Sequence, residues 1–231
     1  MHLLDNPIWN ALNSVDKDKN EGNDAISIFN PDVSPFVGLE NWSASSQKLL
    51  FDFLPSSRTC STLVSQQFKL EPYWDLLFSL MLHQLVCSTI KPFKGSIEII
   101  KPLGKKDIPA MLELTAMTKP GPFTQRTIEF GNYVGIFDED KLVAMAGERL
   151  HLSNYSEVSA VCTHPDYKGR GYAALLVHHL TNQIHETGKL AFLHVRQDNL
   201  RAIELYQGLG FEIRTEIYFA VMKHKQTTEI A

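Results

Sequence analysis

Residues 157–173 contain most of the residue types in this chain that could do chemistry: a carboxylate, a thiol, a histidine and a basic loop with two glycines. A β-branched apolar run ends at Pro165, and the loop with Lys168 and Arg170 leads directly into a segment of helical apolar periodicity. Backbone N–H groups at a helix N-terminus bind anions because the helix macrodipole is positive there. The stretch therefore predicts a site for a phosphorylated ligand, with Glu157 one strand length upstream.

The composition is that of a globular chain with room for one large domain or two small ones. The chain has 231 residues, of which 44% are hydrophobic and 21% charged, and its formal net charge is −4. Because the chain is acidic overall, we expect neither nucleic acid nor a membrane as a partner. A basic loop in such a chain indicates a small anionic ligand.

The cysteines and histidines do not form a metal or disulfide pattern. Cys60, Cys87 and Cys162 are odd in number and widely spaced, which argues against a disulfide framework and a zinc site. His178 and His179 are adjacent, so they lie on different faces of a helix and cannot form an i, i+4 metal pair. We therefore expect no bound metal.

Neither a targeting signal nor a membrane span is predicted. Residues 1–7 carry charge early and lack the apolar core of a signal peptide. The longest apolar stretch, residues 74–87, is interrupted by polar side chains and is too short to cross a bilayer. We expect a cytoplasmic protein with reduced thiols.

The chain divides by pattern into an N-terminal region, residues 1–94, and a second domain, residues 95–231. The boundary is predicted at Lys91–Ser96, where Pro and Gly interrupt both helix and strand patterns. In the first region we predict a helix over residues 44–54, a strand over 60–64 and a second helix over 73–85.

The second domain alternates strand and helix patterns. We predict strands over residues 97–100, 133–137, 142–150, 155–163, 191–195, 211–217 and 218–222. We predict helices that begin near Lys106 or Asp107, at Tyr172 and after a cap at Asn199, the last two ending at Gly188 and Gly210. This order predicts an α/β fold, with a mixed sheet and helices on its faces.

Two known phosphate loops fit the glycine-rich stretch poorly. The chain lacks the G-x-x-x-x-G-K-[ST] pattern of a P-loop. Residues 169–174 match G-x-G-x-x-A, but a dinucleotide-binding strand should run almost directly into its first glycine. Residues 164–168 intervene here, so this interpretation is disfavoured.

Two segments together resemble the Gcn5-related N-acetyltransferase (GNAT) superfamily. Residues 168–173, Lys-Gly-Arg-Gly-Tyr-Ala, resemble the family's [QR]-x-x-G-x-[GA] signature. Residues 199–211 resemble its N-x-x-A-x-x-x-Y-x-x-x-G-F segment, and the two occur in the family's order. The resemblance covers about residues 96–223 and is strongest to the FR47-like branch. Residues 160–165 match the sequence of that branch where its strand leads into the loop. Lys168 departs from the usual Arg or Gln, so the positive charge remains but the planar donor fork is lost.

The resemblance implies acetyl-CoA as co-substrate and assigns residues to it. The pyrophosphate would lie on the N–H groups of Lys168, Gly169, Arg170, Gly171, Tyr172 and Ala173. The pantetheine arm would pair with the backbone of Val161, Cys162 and Thr163, where an N–H group could also polarise the thioester carbonyl. Asn199 and Ala202 would lie at the other side of the cofactor.

The resemblance also implies direct acetyl transfer to a primary amine. An alkylammonium with a pKa of about 10 must first lose a proton. Glu157 is the predicted base, acting through water, and it shares a strand face with Val161 by the period of two. Glu148 is the alternative base. Tyr206 is the predicted acid for the leaving thiolate.

Two other functional interpretations stay open. Cys162 could carry a covalent acetyl group, but no histidine is placed to activate it and a buried strand cysteine is usually inert. A non-catalytic module that senses acyl-CoA would keep the loop without the chemistry.

The acceptor amine, a small molecule or a peptide, is not identified by the sequence. Residues 119–127 and 151–155 are the loops expected to shape its pocket. Pro120–Phe123 and Arg126 predict a partly basic wall, which hints at a carboxylate on the substrate. Residues 1–94 resemble the degenerate acetyltransferase half of FR47-like proteins. They could shape this pocket or form a homodimer interface.

Overall fold

The computed structural model describes residues 2–95 and 97–225. The helices within these residues are α1 (Pro7–Leu12), α2 (Ala44–Phe53), α3 (Ile108–Thr118), α4 (Tyr172–Glu186) and α5 (Leu200–Gly208). The strands there are β1 (Ser27–Ile28), β2 (Val37–Gly38), β3 (Thr59–Val64), β4 (Trp74–Cys87), β5 (Ile100–Pro102), β6 (Val134–Asp138), β7 (Lys141–His151), β8 (Tyr155–Thr163), β9 (Leu190–Arg196) and β10 (Phe211–His224).

The chain forms two compact units, each built from separate stretches of sequence. The first unit contains the described residues of Met1–Pro31, Pro35–Leu82 and Glu216–Ala231. The second unit contains Asp32–Ser34 and His83–Thr215. These boundaries differ from the predicted division at residues 94 and 95, because β4 and β10 each contribute residues to both units.

The first unit packs α1 and α2 against short strands and β3. Pro7 lies in the first turn of α1, where its fixed φ suits the helix and its missing N–H group costs no hydrogen bond. Ser43 caps α2, since its Oγ accepts a hydrogen bond from the N–H group of Ser46 at 3.3 Å. Residues 218–223 of β10 pair antiparallel with β3. The buried core of this unit comprises Ile26, Ile28, Val37, Leu39, Leu50, Leu54, Cys60, Val64, Trp74, Tyr218, Ala220 and Met222.

The second unit is a mixed sheet with helices against it, which confirms the predicted fold class. Its strand order is β4-β9-β8-β7-β6-β5. The β5–β6, β6–β7 and β7–β8 pairs are antiparallel, whereas β8 and β9 are parallel and are connected through α4. The predicted stripe of Leu176, Leu180 and Ile184 on α4 is at most 1% exposed. Burial of this apolar stripe holds α4 against the sheet.

The helix predicted over residues 73–85 is wrong, because Trp74–Cys87 is strand β4. The run is rich in Leu and contains Met and Gln, which are good helix formers. A continuous apolar run carries no clear period, so helix and buried strand cannot be separated by pattern alone. Residues 74–87 form a strand because their backbone pairs within the sheet.

Two other strand predictions need correction. Ile97–Ile99 is a 3-10 turn, and the strand there is limited to Ile100–Pro102. The two strands predicted over residues 211–217 and 218–222 are one strand, β10. No glycine or proline lies within Phe211–His224 to interrupt it.

The elements around the glycine-rich loop are confirmed. β8 and α4 have the predicted bounds, Tyr155–Thr163 and Tyr172–Glu186. Gly188 follows the C-cap of α4 with a φ of 78°, and Gly210 follows that of α5 with a φ of 104°. Both glycines therefore have the left-handed conformation that ends a helix.

Candidate functional site

A β-bulge interrupts β8 at the centre of the site. Met145 pairs with Cys162 and Gly147 pairs with Ser159, so β8 has one more residue than β7 between these pairs. Ala160 occupies the bulge with a φ of 52°, a left-handed conformation that non-glycine residues seldom adopt. The bulge turns the backbone at the point where the predicted cofactor segment, Val161–Thr163, begins.

Strand β8 extends past the last residue for which a pairing with β9 is described. The last described pair of the two parallel strands is Glu157 with Phe192, whereas β8 extends to Thr163. At the end of β8, the Thr163 Oγ1 atom is buried and has no hydrogen-bond partner among the described residues. A buried hydroxyl group without a partner is costly. The end of β8 therefore offers polar groups that suit an extended polar ligand.

The glycine-rich loop exposes the N-terminus of α4. Gly169 and Gly171 have φ values of 86° and 79°, and a Cβ atom at either position would meet nothing within 4 Å. Gly171 is the N-cap of α4, and no side chain caps the helix there. The first N–H groups of a helix lack acceptors within the helix. Arg170 lies over the ring of Tyr167, with Cζ 4.6 Å from its centroid.

The second family-like segment, residues 199–211, forms the N-cap of α5 and the face of this helix that packs into the core. Asn199 caps the helix, since its Oδ1 atom accepts from the N–H group of Ala202 at 3.3 Å. Tyr206 is 9% exposed, and burial raises the pKa of its phenol to about 12. Tyr206 packs in the hydrophobic core of the second unit, where its phenol keeps its proton at neutral pH and is a weaker acid than an exposed tyrosine.

The carboxylate of Glu157 is fully buried and carries three hydrogen bonds. Arg149 Nε donates to Oε2 at 2.8 Å and Nη2 donates to Oε1 at 2.5 Å. His194 Nδ1 lies 2.7 Å from Oε1. Burial alone would raise the pKa of Glu157, but Arg149 and His194 lower it to about 2. This carboxylate is therefore a weak base.

A hydrogen-bond chain fixes the orientation of His194. Arg214 Nε donates to Gln84 Oε1 at 2.5 Å, so the amide nitrogen of Gln84 faces His194. Gln84 Nε2 lies 3.0 Å from His194 Nε2 and must be the donor. His194 Nε2 is therefore the acceptor, and the ring proton lies on Nδ1 toward Glu157.

Glu148, the alternative base, is also held by several partners. Its carboxylate accepts from Asn132 Nδ2 at 2.6 Å and from the hydroxyl group of Ser156, and His151 Nε2 lies 3.4 Å away. Burial would raise the pKa of Glu148, but the bonds from His151, Ser156 and Asn132 lower it.

A shallow cleft lies beside the bulge, with about 250 Å³ of space between atoms, part of which is open solvent. Its lining includes the loop Pro120–Phe123 and the residues Tyr133, Arg149, Ser159 and Ala160. Arg126, expected to give this wall its positive charge, instead forms an exposed ion pair with Glu129 at 2.7 Å. The cationic group of the lining is Arg149.

A segment from the N-terminal part of the chain holds the loop beside this cleft. Thr127 Oγ1 donates to the carbonyl oxygen of Val33 at 2.8 Å, and the N–H group of Arg126 donates to that of Asp32 at 3.1 Å. The hydroxyl group of Thr124 also donates to Asp32. Asp32–Ser34 belongs to the second unit and holds the loop beside the cleft in place.

Cys162 is a buried thiol at the site. It is 6% exposed, and burial raises its pKa to about 11. The nucleophilic form of cysteine is the thiolate, so this thiol is unreactive at neutral pH.

Within residues 2–95 and 97–225, no group of three or more His, Cys, Asp or Glu side chains is arranged to hold a metal ion. No helix in the same residues has the length and apolar character needed to cross a bilayer.

Arg149, His194, Gln84 and Arg214 are site residues that the sequence interpretation missed. Arg149 is the one that the sequence could have indicated, because it follows Glu148 on β7, and Glu148 pairs with Val158, the neighbour of Glu157, in the β7–β8 hairpin. No local signal identifies the other three, which come from β9, β4 and β10.

The mixed sheet with the glycine loop at the start of α4 has the fold of GNAT acetyltransferases of known structure. Residues 133–220 match the family model described as FR47-like protein. A GNAT-family protein from Novosphingobium aromaticivorans has a crystal structure with a TM-score of 0.90 and 28% identity, covering 98% of this chain and 100% of that one. A GCN5-related N-acetyltransferase from Kribbella flavida shares the fold, with a TM-score of 0.62 and 15% identity over 96% and 93% of the two chains.

Two curated relatives cover different shares of their own length. The [ribosomal protein bS18]-alanine N-acetyltransferase of Salmonella typhimurium is 27% identical over 139 residues, which are 56% of this chain and 93% of that protein. The mycothiol acetyltransferase of Mycolicibacterium gilvum is 34% identical over 95 residues, and the chain covers 31% of its length. The chain therefore contains an FR47-like domain and is similar in sequence and fold to acetyltransferases of the GNAT family.

Proposed function

We propose that the protein transfers an acetyl group from acetyl-CoA directly to a primary amine. Two neighbouring features carry this proposal. The first is the end of β8, past its described pairs with β9, and the second is the glycine loop that leads into α4. One can bind an extended amide-bearing arm, and the other can bind a pyrophosphate. Acetyl-CoA would supply an activated acyl thioester.

The residues of the loop fit this ligand. Gly169 and Gly171 leave open space where side chains would stand, and Gly171 leaves the first turn of α4 without a side-chain cap. Lys168 and Arg170 add positive charge beside it. The N–H groups of residues 168–173 would hold the pyrophosphate, and Val161–Thr163 would hold the pantetheine arm.

The residues near the reacting atoms take separate roles in this proposal. Tyr206 keeps its proton at neutral pH and would donate it to the departing thiolate. The buried thiol of Cys162 argues for direct transfer over a covalent acetyl-enzyme. Glu157 is the base predicted from the sequence, but its three hydrogen bonds suit a carboxylate that positions Arg149 and His194.

The acceptor is proposed to bind in the cleft between Pro120–Phe123 and Arg149. One relative is named for an alanine acceptor and another for mycothiol, so relatives of this chain differ in acceptor. The first of these names specifies transfer to a nitrogen atom. A cytoplasmic location and a homodimer stay predictions.

Two measurements test the proposal. Acetyl-CoA at 100 times its dissociation constant should stabilise the fold by about 2.7 kcal/mol, which a thermal-shift titration detects. A panel of amines with acetyl-CoA should release free CoA and give products heavier by one acetyl group in mass spectrometry. Binding of acetyl-CoA without acetylation of any amine would instead favour the acyl-CoA-sensing alternative.

A further inference from the structure

The lining of the acceptor cleft contains no side chain that can act as a base. Its described residues are Pro120, Gly121, Pro122, Phe123, Thr127, Tyr133, Arg149, Ser159 and Ala160. The only titratable groups in this set are Tyr133 and Arg149. Burial raises the pKa of Tyr133, and the Arg149 guanidinium stays charged. Neither group accepts a proton from an ammonium ion at neutral pH.

The carboxylate behind this lining is already fully engaged. Both oxygens of Glu157 accept hydrogen bonds from Arg149, and Oε1 also accepts from His194. Glu157 is 0% exposed. The charged and titratable groups that face it are Arg149 from β7, His194 from β9 and Tyr133 from the segment before β6. To take a proton from a substrate, Glu157 would have to give up an ion pair in a buried position, which is costly.

The charge of the lining also disfavours a protonated amine. The charged side chain that lines the cleft is cationic, and its carboxylate partner lies buried behind it. An ammonium group entering the cleft would lose hydration and would meet no exposed anion among the residues of the lining. A neutral amine avoids this cost.

We propose that the cleft accepts amines that are already neutral, so that the acceptor is a weakly basic primary amine such as the α-amino group of a peptide. An alkylamine such as a lysine side chain is a poorer acceptor because it is almost fully protonated at neutral pH. This inference rests on the proposed function, and it adds the chemical class of the acceptor.

The chemical step balances without an enzyme base. The lone pair of the neutral amine attacks the acetyl carbonyl carbon, a C–N bond forms and the C–S bond breaks. The thiolate takes the phenolic proton of Tyr206. The nitrogen, which is acidic once it carries the acetyl group, loses one proton through water, and Tyr206 regains a proton. The products are the amide and free CoA.

Two peptides of one sequence test the inference with the full chain. One has a free N-terminus and an acetylated lysine side chain, and the other has an acetylated N-terminus and a free lysine side chain. The pKa values of the two amines are about 8 and about 10.4, so their neutral fractions at pH 7.5 differ by roughly 200-fold. The lysine nitrogen is the stronger nucleophile, so we expect kcat/KM at pH 7.5 to favour the α-amine by about tenfold or more.

The pH profile separates control by the substrate from control by an enzyme base. If the amine must enter neutral, kcat/KM rises with pH to a plateau near the pKa of each amine, about two pH units apart for the two peptides. A rise at one shared pH for both peptides would overturn the inference, as would faster acetylation of the lysine side chain. Acetyl-CoA binding without acetylation of either peptide or of any amine in the panel would overturn the proposed function itself.

Discussion

Arg149 and Glu157 lie on adjacent antiparallel strands and form a two-point ion pair, with Nε to Oε2 at 2.8 Å and Nη2 to Oε1 at 2.5 Å. The side chains are 14% and 0% exposed, respectively. A carboxylate held in this way stays ionised and is positioned by its partner. The pair is therefore a fixed part of the wall between the sheet and the acceptor cleft.

The ion pair should make stability depend on pH. The folded-state pKa of Glu157 is about 2, below the ordinary value of 4.5 for a glutamate. Its contribution to the free energy of unfolding, on the order of 3 kcal/mol, is present above pH 4.5 and is lost as the pH falls toward 2. In Arg149→Met, burial would raise the pKa of Glu157, so its contribution would be present at low pH and lost as the pH rises.

Urea unfolding of Arg149→Met at pH 7 and pH 4 checks this expectation. We expect a loss of about 3–5 kcal/mol at pH 7 and a smaller loss at pH 4. Arg126→Met, which removes an exposed ion pair, should cost about 1 kcal/mol or less at both pH values. An equal loss for Arg149→Met at both pH values would contradict the account.

Gly171→Ala should weaken acetyl-CoA binding by about tenfold or more, because the added methyl group and the strained φ disturb the loop at the start of α4. Gly188→Ala is a matched control, since Gly188 has a φ of 78° against 79° for Gly171, and both have open space at Cβ. Each substitution should cost about 1 kcal/mol of stability. Calorimetric titration should show weaker binding for Gly171→Ala alone, and equal affinity of the two variants would remove the loop from the site.

Ala160→Gly should stabilise the fold, because Ala160 has a φ of 52° in the bulge of β8. Glycine removes the strain of about 1–2 kcal/mol but adds about 0.5–1 kcal/mol of unfolded-state entropy, so the net gain is about 0.5–1 kcal/mol. Ala160→Val should be destabilised, since a β-branched residue tolerates this conformation poorly. Thermal unfolding compares the stability of both variants with that of the wild type. A glycine variant less stable than the wild type would show that the bulge is not strained.

Tyr206→Phe should lower kcat by roughly 10- to 100-fold while leaving the affinity for acetyl-CoA nearly the same, because it removes the proposed proton donor and keeps the ring. Tyr218→Phe is the control, since Tyr218 is also buried, at 6% exposed, and lies in the core of the first unit. Steady-state kinetics measures both variants. Full activity of Tyr206→Phe would assign the proton to another donor.

The neutral form of His194 should carry its ring proton on Nδ1. The order of donors from Arg214 through Gln84 to His194 leaves the Nε2 atom as an acceptor. Long-range nitrogen–proton NMR correlation distinguishes the two neutral tautomers and the cation. An Nε2–H tautomer would mean that the side-chain amide of Gln84 is flipped and that His194 donates to Gln84 instead of accepting from it.

The glycine loop and the elements on either side of it could be predicted from sequence because local chemistry decides them. Gly188 and Gly210 end helices through a backbone conformation that few residues adopt, and Asn199 begins one through its side chain. Such signals need only a few neighbouring residues. The bounds of β8 and α4 follow from them.

The rest depends on contacts between residues distant in sequence. β4 has the composition of a helix and becomes a strand because its backbone pairs within a sheet. His194, Gln84 and Arg214 act together only after three strands are in place. The pKa of Glu157 likewise depends on Arg149 and His194. The sequence therefore indicates a carboxylate at this position but does not indicate how strong a base it is.

The hydrogen bonds from Thr124, Arg126 and Thr127 to Asp32 and Val33 limit how the chain can be shortened or recombined. A fragment that began at residue 95 would keep the glycine loop, α5 and the Arg149–Glu157 pair. It would lack the carbonyl oxygens that hold the loop beside the cleft. Such a fragment would also lack β4, which lies next to β9 in the sheet, so grafting it onto another protein would separate the glycine loop from the backbone that supports the cleft.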